Sequence, residues 1–343
     1  MLRRMALLAA TLLLTWTCLE VAIRLSWTPR KPPLPDPIRA EWRELPEIDS
    51  MFEMAQANVR GRRSGVLFET NSHGFRGPER RVKRPPSTTR IAIAGDSIAM
   101  GEGVEYEDSY GARLERALVP RSRGHRYEVL NVSLSGLNTI WAMRRLKTHG
   151  LKFQPQIVVY GYTLNDIESE HYRRSVDQSF IDPRRFQSAR LHLWRLLGPR
   201  WASLQELLWA PKGSYVHELR DNYYHNPEAW ALVEAGLDDL AELTTELEAC
   251  TVLFVHTRLN SLGFLHPYHE IYERVIAAGS ERGFHGVNSY SLFAGQWDRE
   301  LWIRPFDTHP NAEGHRLLSE ALLDGLRGLP AQCWGEGGEP ELR

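Results

Sequence analysis

From Arg90 onward, short apolar runs alternate with segments of helical pattern, and this alternation limits the fold more than any other feature of the chain. The runs lie at 91–94, 127–132, 156–160, 251–256 and 284–288. They have strand length and, in the main, β-branched or aromatic character. Helices are predicted between them over 108–119, 139–149, 228–249 and 267–282, with a last one running to about residue 326. Strands that are apolar throughout, separated by helices, argue for a parallel sheet covered on both faces. The expected fold class is therefore α/β.

Such a sheet collects functional groups along one edge, because the C-terminal ends of parallel strands lie side by side. The first run ends in Gly95-Asp96-Ser97, the second leads into Ser133-Leu-Ser-Gly136-Leu-Asn138, and the third into Gly161-Tyr-Thr-Leu-Asn165-Asp166. A late loop, Asp307-Thr-His309-Pro-Asn311, opens the final helix. These stations suit nucleophilic catalysis. A serine hydroxyl attacks a carbonyl only when a histidine takes its proton, and the histidine needs an acceptor on its other nitrogen. Asp307 and His309 are two residues apart, which puts both side chains on one face of an extended segment. The oxyanion formed on attack needs donors, and the N–H groups of Ser97 and Gly136 and the Asn165 side-chain amide would serve. Asp96 and Asp166 read as loop-fixing residues, His315 as a structural histidine in the final helix, and His256 as a candidate to line the cleft.

Composition narrows the remainder. At 343 residues the chain can bury one large α/β domain with additions, and a formal charge of −1 argues against nucleic-acid binding. The three cysteines, Cys18, Cys250 and Cys333, make no metal spacing. Cys250 and Cys333 can pair in an exported domain if their Cα atoms come close. Arg3 and Arg4 precede an uncharged, mostly apolar run over 5–19, with Glu20 and Arg24 interrupting its apolar tail. That pattern is a signal-type segment, and the basic residues place its N-terminus inside and the remainder outside. An uncleaved signal anchor is expected, with secretion after cleavage as the alternative and a core helix of the globular domain as a third reading.

The segment 28–37 carries five prolines and reads as a stiff linker, and 38–70 shows no readable motif. Arg80, Arg81, Lys83 and Arg84 form a basic run, read as a solvated linker with anionic lipid or an acidic polymer as alternative partners. Residues 168–226 interrupt the strand–helix rhythm. Within them 191–209 holds Trp194, Trp201 and Trp209, which suits a packed helix, a lid, or a surface resting on a membrane. Asn131-Val-Ser133 fits a glycosylation pattern but falls at a buried strand end.

Taken in order, the four stations resemble the sequence blocks of the SGNH, or GDSL-type, serine hydrolase superfamily. Gly95-Asp96-Ser97 is similar to the first block, 131–136 to the second, Asn165-Asp166 to the third and His309 to the last, so the likeness spans roughly 90–326. It implies a flavodoxin-like three-layer α/β/α sandwich with Ser97 as nucleophile and His309 as base. Ser97, Gly136 and Asn165 would form the oxyanion hole. Two departures stand out. Thr163 replaces the glycine of the third block, and Phe306 stands where the acid of the usual Asp-x-x-His block belongs, leaving Asp307 one step closer. Asp307 is expected to complete a triad, with a Ser–His dyad oriented by a backbone carbonyl as the fallback.

The sequence thus predicts an N-terminal anchor at 1–27, a linker and extension at 28–89, the hydrolase domain at 90–330 with a helical insertion at about 168–226, and a C-terminal tail at 331–343. The expected activity is a serine esterase, without metal or organic cofactor, cleaving acyl (above all acetyl) esters of an envelope carbohydrate. Lipid-ester hydrolysis and carbohydrate O-acyl transfer are the alternatives on the same fold. A non-catalytic glycan-binding or assembly protein is the alternative of another class.

Overall fold

The computed structural model describes residues 2–26, 42–120, 122–168, 190–209, 215–263, 266–304 and 307–341. The proline-rich segment 28–37, the stretches 169–189 and 210–214 of the insertion, Phe306 and the last two residues lie outside the described residues.

In chain order, α1 (Leu2–Ser26) is followed by α2 (Met51–Met54) and a hairpin of β1 (Arg60–Arg63) and β2 (Val66–Glu69). The first strand of the principal sheet, β3 (Thr88–Gly95), leads into α3 (Ser97–Met100), α4 (Tyr110–Ala117), β4 (Val119–Pro120) and β5 (Arg126–Asn131). Next come α5 (Thr139–Arg145), which runs on through a π-type turn at Leu146–Gly150, and β6 (Ile157–Tyr162). The insertion holds α6 (His192–Trp209) and α7 (Tyr215–Tyr224), and α8 (Pro227–Glu246) and β7 (Cys250–Val255) resume the alternation. The chain closes with α9 (His269–Ser280), β8 (His285–Asn288), α10 (Tyr290–Phe293), β9 (Trp302–Arg304), β10 (Asp307–Pro310), α11 (Ala312–Leu326) and β11 (Pro340–Glu341).

The principal sheet has five parallel strands in the order β5-β3-β6-β7-β8. Its inner strands β3, β6 and β7 are buried on both faces by strict alternation. Ile91, Ile93, Ile157, Val159, Val252 and Phe254 enter the core under α4 and α11. Ala92, Ala94, Val158, Tyr160, Leu253 and Val255 enter the core under α5, α8 and α9. This is the expected three-layer sandwich. The chain starts at β3, steps to β5 and returns past β3 to β6, so the strand order reverses between β3 and β6. In doubly wound sheets, ligands bind at that switch point.

Three features extend the sequence reading. The helix 108–119 is shorter than expected, since a 3₁₀ turn at Tyr106–Asp108 precedes α4 and Val119 joins β4, which pairs with β11. The extension, without a motif in sequence, folds onto the catalytic domain. Arg76, buried, donates to the carbonyls of Met100, Gly101 and Val104, and Arg63 donates to Glu102 at 2.7 Å. The solvated reading of the basic run fails for Arg80, which pairs with Glu115 through two bonds of 2.6 and 2.7 Å. The carbonyls of Arg81 and Val82 accept from the fully buried Arg90. Asn131 is buried, as foreseen, and its amide donates to the Ala99 carbonyl at 2.9 Å.

Cys250 and Cys333 form a disulfide with Cα atoms 5.5 Å apart, which ties the C-terminal segment to the start of β7. That edge is opposite the strand ends that carry the candidate site. Removing the bond frees a loop of 83 residues in the unfolded chain. Replacing both cysteines by alanine is expected to lower unfolding free energy by about 2–5 kcal/mol in denaturant titration, with esterase turnover of the folded protein unchanged.

Candidate active site

The site begins where β3 stops. Gly95 has φ +156°, and a Cβ on it would fall 2.5 Å from the Gly161 carbonyl oxygen and 2.7 Å from the Ala99 Cβ. Glycine alone lets the ends of β3 and β6 approach this closely. Asp96 then turns the chain, its Oδ1 accepting the Ile98 N–H at 3.0 Å, and Ser97 opens α3. The next loop is tied to the same point, with Leu134 N–H donating to the Gly95 carbonyl at 3.2 Å.

His309 arrives from β10, 212 residues later, with its Nε2 2.8 Å from Ser97 Oγ. Its Nδ1 lies 2.5 Å from Asp307 Oδ1, which also accepts the His309 backbone N–H at 3.2 Å. The extended conformation of β10, paired antiparallel with β9, places both side chains on one face. Nδ1 therefore carries the proton given to Asp307, and Nε2 presents a lone pair to the serine hydroxyl. Burial disfavours the charged imidazole, but the bond and charge of Asp307 outweigh it, with Glu102 and Asp96 adding, so the His309 pKa rises above its ordinary value. Burial likewise raises the carboxyl of Asp307, and the bond to His309 overrides it and holds the pKa below the usual range.

Gly136 lies in the loop after β5 and Asn165 in the 3₁₀ turn Leu164–Ile167 after β6, so both belong to strands that flank β3. Gly136 takes φ +91°, a left-handed conformation natural to glycine. Asp166 fixes its own turn, with Oδ2 accepting the Thr163 N–H at 3.1 Å and the Tyr160 hydroxyl at 3.0 Å. Among the described residues no group of three or more His, Cys, Asp or Glu side chains is placed to hold a metal ion.

The sequence of residues 93–317 matches the model of the GDSL-like Lipase/Acylhydrolase family, about two thirds of the 343-residue chain. The chain belongs to this family. It is accordingly a carboxylic ester hydrolase with the SGNH fold. Among solved structures it is similar to TesA, at 17% identity and TM-score 0.44, covering 70% of this chain and 98% of that one. It is similar to LAE5, an α/β hydrolase from the metagenome of Lake Arreo, at 18% identity and TM-score 0.45, covering 71% and 97%. Axe2, an acetylxylan esterase from Geobacillus stearothermophilus, gives 16% identity and TM-score 0.43, covering 71% and 95%. All three scores are low, and the family assignment rests on the sequence match. No curated protein matches the chain.

Within this hydrolase, Thr163 does more than replace a family glycine. Its Oγ1 donates to Asp96 Oδ1 at 3.0 Å, which leaves it to accept from His256 Nδ1 at 3.1 Å. His256 does not line an open cleft. It is buried under the sheet edge against Tyr110, and burial pushes its pKa down to about 3, so it stays neutral. His315, also buried, accepts the Tyr110 N–H at 3.3 Å and is structural, as expected. Asp96 thus has a support running back through Thr163 to His256. Glu102, five residues past Ser97, and Arg76 carry no role in the sequence reading; for Glu102 the available signal was a charge just past the Ser97 turn, and for Arg76 there was none. Thr163→Val leaves His256 Nδ1 and one Asp96 contact unmatched, and is expected to cost about 1–3 kcal/mol in unfolding measurements, with Thr163→Ser restoring most of it.

Proposed function

We propose that this hydrolase is a membrane-anchored serine esterase working through an acyl-enzyme on Ser97. The observation that carries the reading is the 2.8 Å contact between Ser97 Oγ and His309 Nε2, backed by the 2.5 Å contact to Asp307. Ser97 Oγ bonds to the ester carbonyl carbon as its proton passes to His309 Nε2. The negative charge moves onto the carbonyl oxygen, which the N–H groups of Ser97 and Gly136 and the Asn165 amide stabilise. Collapse expels the alcohol with the proton from His309. Water, deprotonated by the same imidazole, then attacks the acyl-serine, and the acid leaves with Ser97 regenerated.

The substrate reading is an acetyl ester of an envelope carbohydrate. It follows from the compartment. Arg3 and Arg4 ahead of the apolar segment favour an exported catalytic domain, and a Cys250–Cys333 disulfide suits an oxidising compartment. The helix α1 is long and apolar enough to cross a membrane. Its apolar side chains are largely exposed, Leu7 and Leu13 to 68% and 70%, so it is no core helix of the globular domain. A lipid ester is the second reading, favoured by the exposed Trp194, Leu197 and Trp201 on α6.

The test compares fluorophosphonate labelling and turnover of p-nitrophenyl acetate and octanoate in wild type, Ser97→Ala, His309→Ala and Asp307→Asn. Labelling lost in Ser97→Ala and turnover down by about 10⁴-fold in His309→Ala are expected, with a comparable drop in Asp307→Asn for a triad and little change for a dyad. In wild type, kcat/KM is expected to fall as pH drops through the raised His309 pKa, above 6.5. In Asp307→Asn that limb moves to lower pH, because burial then acts without its counterweight. A preference for acetate supports the carbohydrate ester, and one for octanoate the lipid. A folded wild type that neither labels nor turns over ester would leave a binding role.

A further inference from the structure

Glu20 is the one acidic residue of α1, and it is 7% exposed in a helix whose apolar side chains face outward. A carboxylate in an otherwise apolar segment needs a polar partner. Glu20 has two beyond its own helix, for its carboxylate oxygens accept the N–H groups of His192 and Leu193, each at 2.8 Å. These are first-turn donors of α6. Arg24 closes the junction, donating to Glu20 at 2.7 Å and to the Arg190 carbonyl at 3.1 Å. The last turns of α1 therefore hold the start of α6.

The depth of this junction follows from helix geometry. The uncharged stretch between Arg4 and Glu20 would span about 22 Å at 1.5 Å per residue, against a hydrocarbon core of about 30 Å. The stretch is shorter than the core, so Glu20 lies at or just inside the outer boundary of any bilayer that α1 crosses, and α6 sets out from that level. Trp194, Leu197, Trp201 and Leu208 are exposed to 41%, 43%, 48% and 54%. Their spacing of three, four and seven residues puts them on a single helical stripe. Tryptophan and leucine on one face of a helix lying at headgroup level is the composition of an interfacial helix.

We propose that α6 is a second membrane contact, lying in the headgroup region of the leaflet that α1 leaves, with its stripe turned into the acyl chains. The partner is the lipid surface, and the proposal rests on reading α1 as a membrane anchor. The next helix of the insertion touches the turn that carries Asn165. Three residues after Asn165, Glu168 accepts the hydroxyl of Tyr215, the first residue of α7, at 2.7 Å. Tyr223 of α7 donates to the Leu164 carbonyl at 3.0 Å. Five residues separate α6 from α7, which touches the Asn165 turn, so a bilayer holding α6 keeps the catalytic domain close to esters at the membrane surface.

The test uses the full chain in the Cys18→Ser background, since the other two cysteines are paired. Single cysteines at Leu197, Leu208, Leu13 of α1 and Val119 at the edge of the catalytic domain carry an NBD fluorophore. The proteins are reconstituted in phosphatidylethanolamine–phosphatidylglycerol vesicles containing a shallow doxyl-labelled lipid for the α6 and Val119 sites and a deep one for Leu13. Quenching at Leu197 and Leu208 at least about threefold above Val119 is expected for an interfacial helix, with Leu13 quenched as well. Glu20→Ala is expected to reduce quenching at Leu197 and leave it unchanged at Leu13. Leu197 and Leu208 as weakly quenched as Val119, beside a strongly quenched Leu13, would overturn the proposal and leave the anchor standing. An unquenched Leu13 would overturn both.

Discussion

Ser97 and His309 are 212 residues apart in sequence and 2.8 Å apart in space, and the usefulness of the site depends on that one hydrogen bond. A serine hydroxyl without an imidazole in reach is inert toward esters at neutral pH. The parallel sheet makes the meeting possible. It carries Ser97 to the end of β3, where the strand order reverses, and sets the strands leading to Gly136 and Asn165 on either side. His309 comes from outside that sheet, on a short hairpin after the last sheet strand, so its position depends on how β9 and β10 pack.

Much of the remaining polar structure serves to keep the nucleophile turn in place. Buried carbonyls cannot be left without donors, since an unmatched polar group costs about 1–3 kcal/mol in mutational measurements. Arg76 supplies donors to the loop after Ser97, Asn131 supplies one to Ala99, and Arg145 joins Val132 to Gly74 at 2.7 and 2.8 Å. Two of these three links cross between the catalytic domain and the segment before residue 80. The family match begins at residue 93, so this extension is an addition that braces the family core.

The strands and the polar groups at their ends were legible because each is written locally, as an apolar run closed by a glycine, asparagine or serine turn. Asp307 was legible through spacing alone, since alternate residues of a strand share a face. The hairpin at 60–69 was not, because its strands are four residues long and β1 reads Arg-Gly-Arg-Arg. Its burial comes from ion pairs and long-range packing that no local pattern records. Thr163 was read as a departure from a family glycine; its bond to Asp96 spans 67 residues and exists only in the fold. The same holds for Glu20, whose partners in α6 lie more than 170 residues away.

In the proposed acyl transfer, one carbonyl oxygen sits among three donors while its carbon is bonded to Ser97. A crystal structure of the phosphonate adduct tests it most directly. Phosphorus bonded to Ser97 Oγ is expected, with one phosphonyl oxygen about 2.7–3.1 Å from the N–H groups of Ser97 and Gly136 and the Asn165 amide. An adduct on another residue, or a phosphonyl oxygen turned away from Gly136 and Asn165 toward solvent, would contradict it.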